Sequence, residues 1–398
     1  MWKNIEAAPA DSILGLTEAF RNDSNPAKVN LGVGVYKDDA GTTPVLKSVK
    51  DAEKILLDKE KTKSYLPISG DPGYGVCVQK LLFGEASEVI SSGRAATAHA
   101  PGGTGALRVG AELLKKFNTT AKVWISKPTW ANHKGIFGAA GFELDEYAYY
   151  DASSMSLDFP ALVNSLENVP AGDIVLLHAC CHNPSGVDLN EEQWSQVVEI
   201  AKAKNWIPFL DFAYQGFGAG VNEDRFAVEQ FAAAGVDFFV ASSFSKNFGL
   251  YNERCGAITV ISPSREESVV AMSHLKTTVR VLYSNPPAHG GLVAATILSD
   301  PALYEQWIGE LAEMRQRIVA MRSALVDGLA ARGVDRDFSF IKEQRGMFSF
   351  SGLNDDIVKW LRDNKAIYVV GGGRINLAGL TTANIDYVCD AIAEAIKA

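Results

Sequence analysis

Asp237-Phe238-Phe239-Val240-Ala241-Ser242-Ser243-Phe244-Ser245-Lys246-Asn247-Phe248-Gly249-Leu250 is the stretch on which the reading of this chain turns. Its first half is a near-continuous apolar run, the pattern of a strand buried on both faces. Its second half turns abruptly to small hydroxyl residues and a lysine. The same change from apolar run to polar group recurs along the chain. Val123-Trp124-Ile125-Ser126 precedes Trp130 and His133, and Ile174-Val175-Leu176-Leu177-His178 precedes Asn183. Ile207-Pro208-Phe209-Leu210-Asp211 ends on a carboxylate, with Tyr214 three residues on. Pro208 lacks an N–H, so it marks the first residues of its strand or a sheet edge. Gly256–Ile261 is a further strand. Such runs separated by helical patterns predict an α/β fold with a mostly parallel central sheet covered by helices on both faces. In an open sheet of this kind, ligands bind beyond the carboxyl ends of the strands, where these polar residues fall.

Composition narrows the setting. The 398 residues allow two domains, and the net charge of −9 disfavours nucleic acid and anionic membranes as partners. No apolar run approaches the ~18 residues of a membrane span. Met1–Ala10 carries Lys3, Glu6 and Pro9 and no signal-peptide core. The five cysteines, Cys77, Cys180, Cys181, Cys255 and Cys389, include no C-x-x-C pair, which fits a reducing compartment. The expectation is a cytoplasmic protein. Apolar residues at Leu311, Met314, Ile318, Met321 and Leu325 form one face of an amphipathic domain helix, too short a repeat to require a coiled coil. Beyond it the pattern is shorter-stranded and mixed. The expected division is an N-terminal arm with part of a small domain (1–44), a large domain (45–312) and a smaller α/β domain (313–398).

Lys246 stands among Ser243, Ser245 and Arg254, groups able to hold a phosphate. A desolvated lysine beside an anion site suits a Schiff base to a phosphorylated carbonyl cofactor, and the combination points to pyridoxal 5′-phosphate. Asp211, set between apolar residues, needs a partner. The protonated pyridine nitrogen of that cofactor is one, and a helix N-cap or a structural ion pair is the alternative. Tyr214 reads as a phenol facing the cofactor ring oxygen or as a packed aromatic.

Pro101-Gly102-Gly103-Thr104-Gly105-Ala106-Leu107 is a glycine-rich turn opening a helix, whose N–H groups suit a phosphate. It matches neither a dinucleotide fingerprint nor a Walker loop. His178-Ala179-Cys180-Cys181-His182-Asn183-Pro184 has no established zinc spacing, so no metal is expected, and Asn183 is read as pointing its amide into the pocket. Arg374, after Gly371-Gly372-Gly373, and Arg280 are candidate carboxylate clamps, though either alone could be an ordinary surface or ion-pair arginine.

With these residues assembled, the chain resembles the aspartate and aromatic amino-acid aminotransferases, pyridoxal-phosphate enzymes of fold type I. The resemblance runs from about Asp11 to the C-terminal helix. It is strongest around Lys246, at Asp211–Gly216, His178–Gly186 and Tyr283–Gly290, and at Gln344–Phe350. It implies that Lys246 carries the cofactor, that Asp211 pairs with the pyridine nitrogen, and that Asn183 and Tyr214 hold the ring oxygen. It further implies that Trp130 stacks on the ring and that Gly103, Thr104, Ser243 and Arg254 hold the phosphate. Tyr65 would reach the phosphate of the neighbouring subunit's cofactor. Arg374 would bind the substrate α-carboxylate, Arg280 would cross a homodimer interface to the side-chain carboxylate, and Gly34 would line the pocket. The implied reaction is ping-pong amino transfer between aspartate and 2-oxoglutarate, aromatic amino acids being alternative donors. Gly102–Gly105 and Lys246–Leu250 look like the aspartate branch. Tyr65-Leu66-Pro67-Ile68 and Phe217–Gly220 look like the aromatic branch, and Ser64 replaces an asparagine common in the former. A lyase or decarboxylase on the same fold has no use for a second substrate arginine. A cofactor-sensing regulator would need an added DNA-binding module, for which neither end is expected to have room.

Overall fold

The computed structural model describes residues 2–6 and 12–398. Its centre is a seven-stranded sheet. In chain order the strands are β1 (Ala95–Pro101), β2 (Lys122–Lys127), β3 (Glu143–Ala148), β4 (Ile174–His178), β5 (Ile207–Phe212), β6 (Phe238–Ser243) and β7 (Cys255–Ile261). Their spatial order is β1-β7-β6-β5-β4-β2-β3. Only β7 runs against its neighbours, antiparallel to both β1 and β6. Side chains alternate between faces: Val175, Leu177, Leu210 and Phe212 join one core cluster, whereas Ile174, Leu176 and Phe209 join another. The near-continuous apolar pattern of β4 and β5 follows from burial on both sides.

Pro208 is the second residue of β5, which lies in the middle of the sheet and not at an edge. Pairing of β5 with β6 begins only at Phe209, so the missing N–H costs no bond on that side. Two strands escaped the sequence reading. Ala-Ala-Thr-Ala-His-Ala-Pro in β1 is rich in a good helix former and poor in β-branched residues. Glu-Leu-Asp-Glu-Tyr-Ala in β3 carries the charges of an edge strand.

The site is framed by α1 (Gly102–Phe117), α2 (Asn132–Ala139), α3 (Arg265–Leu282) and α4 (Pro301–Ala331). Helix α4 starts with Pro301 behind an Asp300 cap that accepts from Ala302 and Leu303 N–H at 2.9 and 3.1 Å. The predicted face, Leu311 to Leu325, is buried along it. Beyond α4, β8 (Phe348–Phe350) pairs antiparallel with β9 (Arg374–Asn376), setting Phe350 opposite Arg374. Val29–Asn30 pairs in parallel with Ile367–Tyr368.

Candidate active site

A cavity of about 440 Å³ opens at the carboxyl ends of β2, β4, β5 and β6. Every candidate read from the sequence lines it except Tyr65 and Arg280: Gly34, Gly103, Thr104, Trp130, Asn183, Asp211, Tyr214, Ser243, Lys246, Arg254 and Arg374. Tyr65 is 93% exposed on a loop, and Arg280 is exposed near the end of α3, where it donates to Ser284 Oγ. Within one chain these two do not join the others.

Strand register builds one wall. Asp211 ends the β5 core beside His178 of β4 and Ala241 of β6. Just past β6, the chain turns to bring Lys246 Nζ to 4.7 Å from the centre of the Tyr214 ring. Lys246 is half-buried and has no carboxylate within salt-bridge distance among the described residues. Desolvation by the surrounding protein lowers its pKa, against the raising effect of Asp211 and with that of Arg254. Arg374 is buried at the head of β9. It donates to Gly32 O at 2.7 Å and Asn183 Oδ1 at 3.3 Å, its ring-stacked partner is Phe348 at 4.3 Å, and its Nε is unpaired among the described residues. Burial lowers its pKa too. Tyr214 is pushed up by burial and stays a neutral phenol.

His133, on α2, was read from the sequence only as a polar residue after a strand. It is wholly buried, and its Nε2 lies 3.0 Å from Asp211 Oδ2. Behind it runs a chain of hydrogen bonds whose directions follow from the available protons. Asn183 N–H donates to His178 Nδ1 at 3.1 Å, and burial drives the His178 pKa down to about 3, so its one proton sits on Nε2. That N–H donates to Thr129 Oγ1 at 3.2 Å, which leaves the Thr129 hydroxyl to donate to His133 Nδ1 at 2.8 Å. His133 then donates from Nε2 to Asp211. Burial alone would raise the Asp211 pKa, but this hydrogen bond and the nearby positive charge outweigh it and hold the carboxyl below its ordinary value. A buried carboxylate that stays ionised is the counter-charge a protonated pyridine requires.

The opposite end is built for an anion. No side chain caps the N-terminus of α1, and Gly103 and Thr104 of its first turn face the cavity. A Cβ on Gly103 would stand 3.0 Å from Ser243 Cβ. One on Gly102, which has φ +74°, would stand 2.4 Å from Arg254 Nη2. Arg254 itself donates to Ser245 Oγ at 3.4 Å and Tyr251 O at 3.0 Å. An anion cradle, an amine and an ionised carboxylate along one cavity fit pyridoxal phosphate end to end. Among the described residues no group of three or more His, Cys, Asp or Glu side chains is arranged to hold a metal ion.

Such a layout, at the strand ends of an α/β sheet, defines an enzyme that works through a phosphorylated electron-accepting cofactor. The sequence model of the family described as aminotransferase class I and II matches residues 26–392, and the chain belongs to that family. It is 54% identical over 392 residues to the aspartate aminotransferase of Escherichia coli (strain K12), covering 98% of this chain and 99% of the relative. It is 44% identical over 394 residues to the aromatic-amino-acid aminotransferase of the same strain, covering 99% of each. The crystal structure of aromatic-amino-acid aminotransferase from Burkholderia pseudomallei covalently bound to pyridoxal phosphate matches with a TM-score of 0.97 at 51% identity, covering 99% of both chains. No helix among the described residues is long and apolar enough to cross a membrane.

Proposed function

We propose that this chain is an aspartate aminotransferase that moves the amino group of aspartate to 2-oxoglutarate by a ping-pong mechanism, with pyridoxal 5′-phosphate as cofactor. One observation carries the reading. The amine of Lys246 and the guanidinium of Arg374, neither paired with a carboxylate among the described residues, face one cavity together with the ionised Asp211.

When bound, pyridoxal phosphate supplies an electron-accepting ring and a carbonyl carbon that stores the amino group between half-reactions. The protein's share is binding, orientation and proton movement. Gly103, Thr104, Ser243 and Arg254 hold the phosphate, and Trp130 covers the ring. Asn183 and Tyr214 hold the ring oxygen, and Asp211 keeps the ring nitrogen charged. Arg374 grips the substrate α-carboxylate, which sets the Cα–H bond in reach of Lys246. The lowered pKa of Lys246 leaves its amine able to take that proton.

Arg280 and Tyr65, exposed in one chain, serve the neighbouring subunit of a homodimer with shared active sites. There Arg280 meets the side-chain carboxylate and Tyr65 the phosphate, while Gly34 lines the substrate pocket. Two facing arginines select a dicarboxylate, and the aromatic-like Tyr65–Ile68 and Phe217–Gly220 motifs support phenylalanine and tyrosine as secondary donors. We assign 1–44 to an N-terminal arm and part of the small domain, its residues 1 and 7–11 lying outside the described residues, 45–312 to the large cofactor-binding domain and 313–398 to the small domain. We place the enzyme in the cytoplasm.

The test is a half-reaction screen on the holoenzyme, following cofactor absorbance with aspartate, glutamate, tyrosine and phenylalanine. Aspartate and glutamate reacting with the highest kcat/KM supports the proposal. Tyrosine or phenylalanine leading would make aromatic transfer the main activity. Release of ammonia or carbon dioxide would overturn amino transfer itself.

A further inference from the structure

Arg322 lies within α4 between core residues Ile318, Met321 and Leu325, and only 2% of it is exposed. It meets no carboxylate among the described residues. Its guanidinium instead binds four oxygens of a single segment: Ile341 O at 3.2 Å, Gly346 O at 2.6 Å, Phe348 O at 2.9 Å and Ser349 Oγ. Burial pulls its pKa down to about 10. A methionine would fill similar space without desolvating a charge, so the arginine is retained at a cost. What it delivers is a rigid fork of donors fixed on one short run of backbone.

That run carries Phe348. The Phe348 ring stacks 4.3 Å from the Arg374 guanidinium and meets the Tyr214 ring edge-on at 6.1 Å. It also fills the space at Gly34, where a Cβ would come within 3.0 Å of its Cζ. The segment is closed onto the Asn183 corner as well, through Arg345 N–H to Gly186 O at 2.6 Å and Phe350 N–H to Ser185 O at 3.2 Å. Gly186 has no room for a side chain there, since a Cβ would stand 2.5 Å from Phe348 O.

We infer that Arg322 is a positioning residue for substrate binding: by clamping Gly346–Ser349 it fixes the Phe348 ring, and through it the direction in which Arg374 presents its guanidinium to the α-carboxylate. The inference rests on the reading that Arg374 binds that carboxylate.

Arg322→Lys keeps the charge but cannot span four acceptors, and Ser349→Ala removes one acceptor with little disturbance. The measurements are succinate affinity, from cofactor absorbance of the holoenzyme, and steady-state kinetics with aspartate. Arg322→Lys is expected to weaken succinate binding and raise the aspartate KM ~10-fold, with kcat within ~3-fold, as for a misdirected charge-assisted contact. Ser349→Ala is expected to move the same constants the same way by ~3-fold. A fall in thermal stability or cofactor content with succinate affinity unchanged would make Arg322 a purely structural residue and overturn the inference. If Arg322→Lys does not fold, unchanged succinate affinity in Ser349→Ala overturns it alone. A wild-type holoenzyme that binds neither succinate nor aspartate would instead sink the carboxylate reading of Arg374, and the inference with it.

Discussion

His133 Nε2 donates to Asp211 Oδ2 across 3.0 Å, joining helix α2 to the end of strand β5 at the bottom of the cavity. The bond, together with nearby positive charge, keeps a buried carboxyl ionised, because burial on its own pushes that carboxyl the other way. Removing it has a definite sign. In His133→Ala the Asp211 pKa rises, and activity that needs the carboxylate is lost as pH falls through the new, higher value. A hydrogen bond to a charged group is worth ~1.5–3 kcal/mol, so the acid limb of kcat/KM is expected to move up by ~1–2 pH units. An acid limb that stays in place would show that His133 does not hold the Asp211 charge.

Lys246→Ala is expected to lower the half-reaction rate with aspartate by at least ~10³-fold, since it removes the cavity amine proposed as the general base. Stopped-flow absorbance measures this. Borohydride treatment of the wild-type holoenzyme followed by peptide mass analysis locates the attachment point. Cofactor mass on any lysine other than Lys246 would refute the assignment.

The parts of this molecule that were legible in the sequence share a property: each lies within one continuous segment. β4, β5 and β6 announce themselves by unbroken apolar runs, and Asn183, Asp211 and Lys246 by standing at their ends. What stayed hidden depends on contacts between segments. The Thr129 hydroxyl matters because it lies between two imidazoles from different elements. Arg322 looks like any polar residue beside a helical apolar stripe until the fold brings the carbonyls of Gly346 and Phe348 onto its guanidinium. β1 and β3 were hidden for a different reason, their composition being set by alanine packing and by an edge.

Arg280 supplies a prediction about assembly. If it serves the neighbouring subunit, Arg280→Ala raises the aspartate KM while leaving phenylalanine nearly untouched. Mixing is the sharper measurement. Arg280→Ala and Lys246→Ala homodimers are each poor aspartate enzymes, yet a hybrid holds one site with both native residues. Randomly reassorted equal mixtures should regain about a quarter of wild-type aspartate activity, as a two-fold dimer requires. No regain on mixing would place Arg280 outside the neighbour's site.

Acid stability follows from histidines held neutral by burial. The pKa of His99 is pushed down to about 4 and that of His178 to about 3, and His182 is driven well below its ordinary value. Unfolding frees all three to bind protons once the pH drops below about 6.5. The unfolded chain then binds more protons than the native one, and stability declines as pH falls from there towards about 4. Three carboxyls oppose this: Asp188, raised to about 6, and Asp224 and Asp237, both raised by desolvation, take up protons in the folded state first. Each imidazole contributes a slope of up to ~1.4 kcal/mol per pH unit, which the raised carboxyls offset in part. Denaturant unfolding of the cofactor-saturated enzyme at several pH values between those limits measures it. His99 is the place to isolate one contribution, because neither ring nitrogen has a hydrogen-bond partner among the described residues. His99→Gln changes the overall stability by repacking against Tyr74, whose ring lies 4.4 Å away. The slope is the informative quantity: it should flatten by about one proton's worth. A slope equal to wild type would mean that His99 is protonated in the folded enzyme as readily as in the unfolded chain.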